Sequence, residues 1–576
     1  MSNWLTIIPP AFAMLAGAVV LPFLPKKIRS AAFIFFAFSS LYIVWMIPEG
    51  VMAPVKVMSY SLVLGKVDAL SRVFGIIFAF IATAGGIYAF HMKETGQQCA
   101  ALLYAGGALG VTFAGDFFTL FIFWEMMAVA STYLIWARRT KEAHRAGLRY
   151  LLYHVLGGGL LFAGILLHFS KSGSLEITRL FQDGALSSWL MLLGVLINAA
   201  VPPLHAWLSD AYPKATVTGA VFLSAFTTKT AVYVLARVFP GWEVLLIAGT
   251  IMTVYGVIFA VLANDIRGIL AYHIISQVGY MVAAVGIGTT MAINGAVSHA
   301  FSHILYKALL FMGAGVVLHT TGKSKLTQLG GLGKVQPITF LLYMIAAFSI
   351  SGFPLFNGFI SKSMTVAAAG AAHQDWAMLL MTLAAVGTFL SVGLKLPYFT
   401  WYSKEKPEEL TPTTPPKNMH FGMALVAFFC IFHGVYPQHL YKLLPTPVQW
   451  DPFTMHHLVE TVQVLVFTFV GFWLMRKVLK PKAKIALDLD WLYRKPAKLA
   501  RKIIVDPWDK SFDKIEEFVF SIARKLVEFG KNPYLLFSKD KRDKRYSPDR
   551  YRTAAGQLVF AVLGLFIIVV LLGFIL

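Results

Sequence analysis

The chain is a succession of apolar runs, each close to the roughly 20 residues that a helix needs to cross a bilayer, and about sixteen such runs follow one another. Inside hydrocarbon every backbone N–H and C=O must be satisfied within the protein, so these runs can fold only as helices. Of 576 residues, 57% are hydrophobic and 14% charged, with a mean hydropathy of +0.68. That balance is foreign to soluble domains. The expected fold is an all-α polytopic membrane protein. The first run opens MSNW without a basic leader and passes Pro9 and Pro10 before stopping at Lys26 and Lys27, so it reads as a retained span.

The formal net charge of +22 would suit a nucleic-acid partner, but the cations gather in loops after odd-numbered spans: PKKIR (25–29), RRTKEAHRAGLR (138–149), GKSK (322–325) and RKVLKPKAK (476–484). This is the positive-inside pattern. It places those loops in the cytoplasm and both termini outside an inner (cell) membrane, with the lipid bilayer rather than nucleic acid as the partner of the charge. Cys99 and Cys430 stand alone, so a disulfide, a zinc cage or an iron–sulfur cluster lacks ligands. No cofactor is expected, and any redox chemistry belongs to a partner. The glycine-rich LGGLGK (329–334) lacks the spacing and the hydroxyl of a phosphate loop.

An ionisable group at bilayer depth costs several kcal/mol, which makes each one a candidate functional residue. Glu125 in FTLFIFWEMMAVAS lies deep in the fifth span, and Lys229 in FLSAFTTKTAVYVLAR lies as deep in the eighth, which ends near Arg237. These two are either ends of an ion path or a buried structural ion pair. In the eleventh span, HAFSHILYK puts His299, His303 and Lys307 at i, i+4 and i+8, on one helix face. Two histidines so spaced suit zinc, yet no carboxylate or thiol joins them and Lys307 would repel a metal. No metal is expected there. A proton relay fits better, since imidazole titrates near neutrality, and packed core histidines are the remaining alternative.

Two spans carry breaks. SGFPLFNGFISK (351–362) interrupts the twelfth and ends in Lys362, and NAAVPPLHAWLSD (198–210) interrupts the seventh at Pro202 and Pro203. Non-helical backbone at membrane depth is tolerated where it is buried in protein or lines a watery cavity. Breaks five spans apart point to repeated halves with an ion path between them. His273 and Gln277 in HIISQ, and Lys395 in SVGLKLPYF, extend the polar set. Lys395 is close enough to its helix end that it either snorkels to the interface or joins the path.

Taken together, FTLFIFWE, PPLHAWLSDAYPKATVTGAVFLSAFTTKTAVYVLAR, NDIRGILAYHIISQVGYM, HAFSHILYKALLFMGAG and GFPLFNGFISK resemble the antiporter-like membrane subunits shared by respiratory complex I, Mrp-type cation/proton antiporters (their D-like subunit) and membrane-bound hydrogenases. The resemblance covers about residues 98–402. It implies two inverted five-helix repeats, 98–238 and 239–402, with a central axis of Glu, Lys and His. It also implies that Glu125, Lys229, His299, His303, Lys307 and Lys362 are the proton relay, with His273 and Lys395 as further candidates. One position departs from the pattern: Asn198 stands where such subunits usually have a lysine, so Glu125 lacks its usual first partner.

The remaining boundaries follow composition. Residues 1–97 form N-terminal helices, 403–479 add further spans, 480–554 are polar and basic, and 555–576 form an anchor helix. In WDKSFDKIEEFVFSIARKLVEFG, the apolar residues Phe512, Ile515, Val519, Ile522, Leu526 and Phe529 recur every three or four positions. This predicts a lateral amphipathic helix on the cytoplasmic side, against the membrane or other subunits, the alternative being a solvated linker. The expected function is proton translocation, or Na+/H+ antiport, within a multisubunit complex of Mrp-like or redox-driven type. The chain itself would carry no redox site, although the complex could be an oxidoreductase. The rival readings are an independent solute transporter and a purely structural membrane subunit.

Overall fold

The computed structural model describes residues 8–57, 60–403, 410–484, 487–531 and 554–575. The opening MSNW and the stretch 532–553 of the basic segment lie outside the described residues. The chain divides into two units, Met1–Asp490 and Trp491–Leu576.

In the first unit the opening helices are α1 (Ala11–Val20), α2 (Arg29–Met46), α3 (Ala69–Tyr88), α4 (Thr95–Phe113), α5 (Phe117–Trp136) and α6 (Lys141–Ser172). Their starts are marked by side chains that accept the free N–H groups of the first turn: Asp68 caps α3, Asp116 caps α5 and Thr140 caps α6. Between α2 and α3 lies an antiparallel hairpin, β1 (Gly50–Val57) with β2 (Tyr60–Val67), pairing Pro54 with Val63 and Val55 with Leu62. The apolar runs gave no sign of it. Asp116 also accepts from the Val63 N–H at 2.7 Å, tying the hairpin to the start of α5.

The seventh apolar run is broken as expected, into α7 (Leu186–Asn198) and α8 (Ala206–Ala211). Ala200, at φ 61°, turns the chain between them. The eighth run is also two helices, α9 (Val217–Ala225) and α10 (Thr227–Val238), where the sequence suggested one. Phe226, at φ −99° and ψ −70°, makes the break without proline or glycine. Then follow α11 (Glu243–Leu262), α12 (Ile266–Ile287) and α13 (Thr290–Thr321). A Cβ at Gly249 would lie 2.2 Å from the Ala283 nitrogen, and one at Gly256 2.5 Å from that of Ser276. Such glycines let α11 and α12 approach backbone to backbone, the packing available in lipid, where no hydrophobic force separates helix from solvent.

The twelfth run forms α14 (Pro337–Ser351) and α15 (Asn357–Ala371), with Gly352 at φ 79° and Leu355 at φ 71° inside the break. After α16 (Asp375–Thr388), residues Phe389–Lys395 continue as a π-helical turn. The unit closes with α17 (Lys417–Val435), α18 (Pro437–Tyr441) and α19 (Met455–Met475). Eleven helices among the described residues are long and apolar enough to cross a membrane. The chain is therefore a multi-pass membrane protein. Burial separates the centre from the rim: 94% of the most apolar window of α13 is buried but only 17% of that of α19. At 32 residues, α13 is about 48 Å long and is the column around which α3, α9, α12, α14, α15 and α17 pack.

The second unit contains α20 (Trp491–Ala500), α21 (Asp506–Lys531) and α22 (Ala555–Ile575). α21 coincides with the amphipathic stretch read from the sequence, and Phe512, Ile515, Val519 and Leu526 on it are exposed.

Candidate functional site

The titratable residues picked from the sequence lie on α5 (Glu125), α10 (Lys229), α12 (His273), α13 (His299, His303 and Lys307), α15 (Lys362) and the turn after α16 (Lys395). On α5, half-buried Glu125 lies against the backbone of α6: a Cβ at Gly158 would be 1.7 Å from Glu125 Oε1. The adjacent Gly157 faces the end of α7, where a Cβ would lie 3.4 Å from Asn198 Oδ1. Glu125 Oε1 and Asn198 Oδ1 are both buried, with no hydrogen-bond partner among the described residues. A glycine doublet thus makes room for the carboxylate and for the amide that stands in the lysine position.

Lys229 is not paired with Glu125. Its ammonium donates to the Ser224 carbonyl at 2.5 Å and to Thr228 Oγ1 at 3.0 Å. The break at Phe226 releases that carbonyl from the helical ladder, and the lysine fills it. Lys362 repeats the device, donating at 2.6 Å to the Ile350 carbonyl at the end of α14, with Tyr280 beneath it at 5.5 Å. Lys395 is a third case. It is 4% exposed and donates at 2.5 Å to the Val261 carbonyl at the end of α11. Lys395 closes the π-helical turn Phe389–Lys395. Each ammonium sits where four carbonyls are left without intrahelical donors and the helix dipole is negative.

α13 differs. Among the described residues, Lys307 Nζ, both His303 ring nitrogens and His299 Nε2 are buried with no hydrogen-bond partner. His299 Nδ1 contacts Ser361 Oγ on α15 at 3.2 Å, and the two histidine rings are 6.3 Å apart, with Tyr306 5.2 Å from His303. His273 Nε2 contacts Ser391 Oγ at 2.6 Å, and Gln277 lies between Tyr306 (3.4 Å) and Thr388 (3.5 Å). The column thus has unsatisfied donors and acceptors in its middle and hydroxyls at its flanks. Imidazole, ammonium and hydroxyl groups in such an array are of the kinds that can exchange protons.

Arg237 lies apart, forked onto Asp68 at 2.7 and 2.8 Å. Burial raises the Asp68 carboxyl, but the guanidinium outweighs it and holds the group below its usual range.

Several polar residues escaped the sequence reading. Tyr104 meets Thr227 Oγ1 at 2.5 Å, and Tyr150 donates to Ser131 Oγ at 2.8 Å. Buried His154 stacks on Tyr150 at 4.0 Å and packs on the Trp207 edge. The sequence carries a signal for them: RYLLYH sets His154 one helical turn after Tyr150, and HAWLSD sets His205 two residues before Trp207. Asp488 carried none. It comes from the segment after α19, yet its carboxylate contacts His205 Nε2 at 3.1 Å, at the entry to α8, and accepts from the Tyr272 hydroxyl at 2.7 Å and from Tyr255. Burial alone would raise this carboxyl, but the His205 ring and the two phenols outweigh it and hold it at about 2.

Residues 114–388 match the membrane-domain family described as NADH:quinone oxidoreductase/Mrp antiporter. An uncharacterized protein of Methanocaldococcus jannaschii is 31% identical over 360 residues, 59% of this chain and 74% of that relative. The D-type subunit of a Na(+)/H(+) antiporter of Alkalihalophilus pseudofirmus is 33% identical over 53% of this chain and 65% of its own length, and the A-type subunit is 29% identical over 70% and 56%. The chain thus spans between about half and two thirds of those two antiporter proteins. In fold it is similar to a chain of the membrane-bound sulfane sulfur reductase, an archaeal respiratory membrane complex (TM-score 0.70, 22% identity, 98% of this chain and 99% of that one). It is likewise similar to a chain of the Mrp complex from Dietzia sp. (TM-score 0.68, 21% identity, 80% and 98%).

Proposed function

The chain belongs to the NADH:quinone oxidoreductase/Mrp antiporter family, and from that membership we propose that it translocates protons as one subunit of a larger membrane complex. One observation carries the reading: buried lysines hold the carbonyl ends of the broken helices on both sides of α13, where Lys307 Nζ, both His303 ring nitrogens and His299 Nε2 are buried with no hydrogen-bond partner among the described residues. Lys229 and Lys362 are anchored by hydrogen bonds to carbonyls at helix ends, where the helix dipole is negative. Lys307, His303 and His299 have no such anchor, and so they are the stations at which protons are taken up and released.

Coupling is electrostatic in this proposal. Moving charge at Glu125 or Lys229 alters the proton affinity of Lys307 and His303 through a low-dielectric interior, and the change passes to Lys362. His273 and Lys395 form a lateral branch towards the ends of α11 and α16. Asn198, neutral, leaves Glu125 to act on Lys229 through water and the Tyr104–Thr227–Tyr150 hydroxyls. We further propose sixteen spans in which 98–238 and 239–402 are inverted repeats, both termini lie outside, and α21 runs laterally on the cytoplasmic side. Sodium is the candidate exchanged ion, because the named relatives are Na(+)/H(+) antiporter subunits.

The test is proton pumping or exchange by the purified complex in proteoliposomes. Lys229→Ala is expected to abolish at least nine tenths of it while the complex still assembles. Wild-type transport by an assembled variant would refute the relay, and transport of an organic solute by the isolated chain would favour a carrier. The subunits that co-purify identify the driving reaction: a redox partner means a respiratory complex, small antiporter subunits alone mean secondary exchange.

A further inference from the structure

At the first turn of α19, His456, His457 and Glu460 bring two imidazoles and a carboxylate together, with ligand atoms all within 4.8 Å of one another. The spacing explains it. Glu460 follows His457 by three residues and His456 by four, so both rings reach the carboxylate on one helix face. Thr454 caps the helix through the His457 N–H, and Trp450 packs on the His457 ring at 5.4 Å. The same three residues line a cavity of about 190 Å³ between α15, α16 and α19, whose far wall holds Lys362, Ser351 and Thr382. Lys362 turns away from them, towards the Ile350 carbonyl.

We propose that His456, His457 and Glu460 form a zinc site at the mouth of the Lys362 cavity, and that the bound ion closes that end of the path. The donor set is one that zinc takes with a fourth position left for water. Bonds of about 2.0–2.2 Å at tetrahedral angles need ligand atoms about 3.4 Å apart. Side-chain rotations on an exposed helix turn supply that contraction from the present spacing. A divalent ion there fills the mouth with its own hydration shell. It also opposes the arrival of a positive charge at Lys362, because both line one cavity. The gating part rests on the reading of Lys362 as the end of the proton path. The metal site does not.

The test keeps the two apart. Purified complex is titrated with Co2+, whose visible d–d bands report imidazole and carboxylate ligation, and Zn2+ is used to displace it. The wild type is expected to show a saturable band that is lost in His456→Ala and in His457→Ala, with zinc affinity lowered at least tenfold in Glu460→Gln. In proteoliposomes with zinc on both faces, transport by the wild type should fall at least fivefold relative to its own zinc-free rate. Transport by His457→Ala, measured against its own zinc-free rate, should not. Identical cobalt spectra in wild type and variants overturn the site. Binding without selective inhibition overturns the closure. If no protein transports protons even without zinc, the proton-path reading fails while the spectra still decide the metal site.

Discussion

At the scale of single residues, the lysines repeat one solution and glycine supplies the space for its acid counterpart. Gly158 is the position at which that space can be tested. A methyl group there would occupy the place of Glu125 Oε1. The obstructing atom is the end of a flexible side chain, so the backbone need not move and the cost in folding is small. Gly158→Ala is therefore expected to leave insertion and assembly intact and to cut proton transport several-fold, through displacement of Glu125. Restored transport in Gly158→Ala combined with Glu125→Asp, whose carboxylate is one methylene shorter, would show that geometry rather than stability is at fault. The measurement is vesicle acidification matched to the amount of assembled complex. An unaffected rate in the single variant would remove Glu125 from the path. Glu125, Lys229, His303, Lys307 and Lys362 were legible in the sequence because a charge in an apolar run is conspicuous. Their hydrogen-bond acceptors were not, since Ser224, Ile350 and Val261 contribute only carbonyls, which every residue has.

At the scale of elements, breaks written in proline and glycine were read correctly at 199–205 and 352–356, and the break at Phe226 was missed because no residue type there announces it. Its cause lies in packing: Phe226 is wedged against Phe78, Tyr104 and Phe222, and Lys229 satisfies the carbonyl released. The docking of Asp488 was illegible for another reason. Its contact with His205 spans 283 residues, and no periodicity reports a pairing over that separation. Its consequence is testable by pH. A carboxyl whose folded pKa is about 2, below an unfolded value near 3.9, contributes stability that is fully present above about pH 4 and is lost as pH falls towards 2. At neutral pH the shift corresponds to about 2–3 kcal/mol. Asp488→Asn keeps the shape and removes the charge, so its thermal midpoint in detergent should be lower than that of the wild type by several degrees from pH 8 down to about 5. The gap should narrow below about pH 4. Limited trypsin digestion should also cut faster at Lys482 and Lys484 in the variant, since the latch that holds this segment to α8, α11 and α12 is weakened. Equal midpoints at pH 7 would mean that the contact contributes nothing.

At the scale of the whole molecule, the division at Asp490 falls just beyond that latch, and the proposal gives the two units different jobs. All proposed relay residues and Asp488 lie in the first unit. The second offers a 26-residue helix with one apolar face, exposed along Phe512, Ile515, Phe518, Val519 and Leu526. A face of that length is costly in water and must be covered by lipid or by neighbouring subunits, which is why we assign this unit to assembly. Two truncations distinguish the roles. A chain ending after Asp490 retains the relay and the latch, and it is expected to insert with a near-normal melting midpoint but to migrate on native gels with partners missing or loosely held. A chain ending after Leu479 loses the Asp488 latch as well, and its midpoint should fall by the same several degrees as Asp488→Asn or more. The comparison is decided by native mass and by proton transport per assembled complex. If the chain ending at Asp490 assembles fully yet transports nothing, the second unit participates in coupling, and the charge movement that drives Lys307 must be sought along α21 as well as along α13.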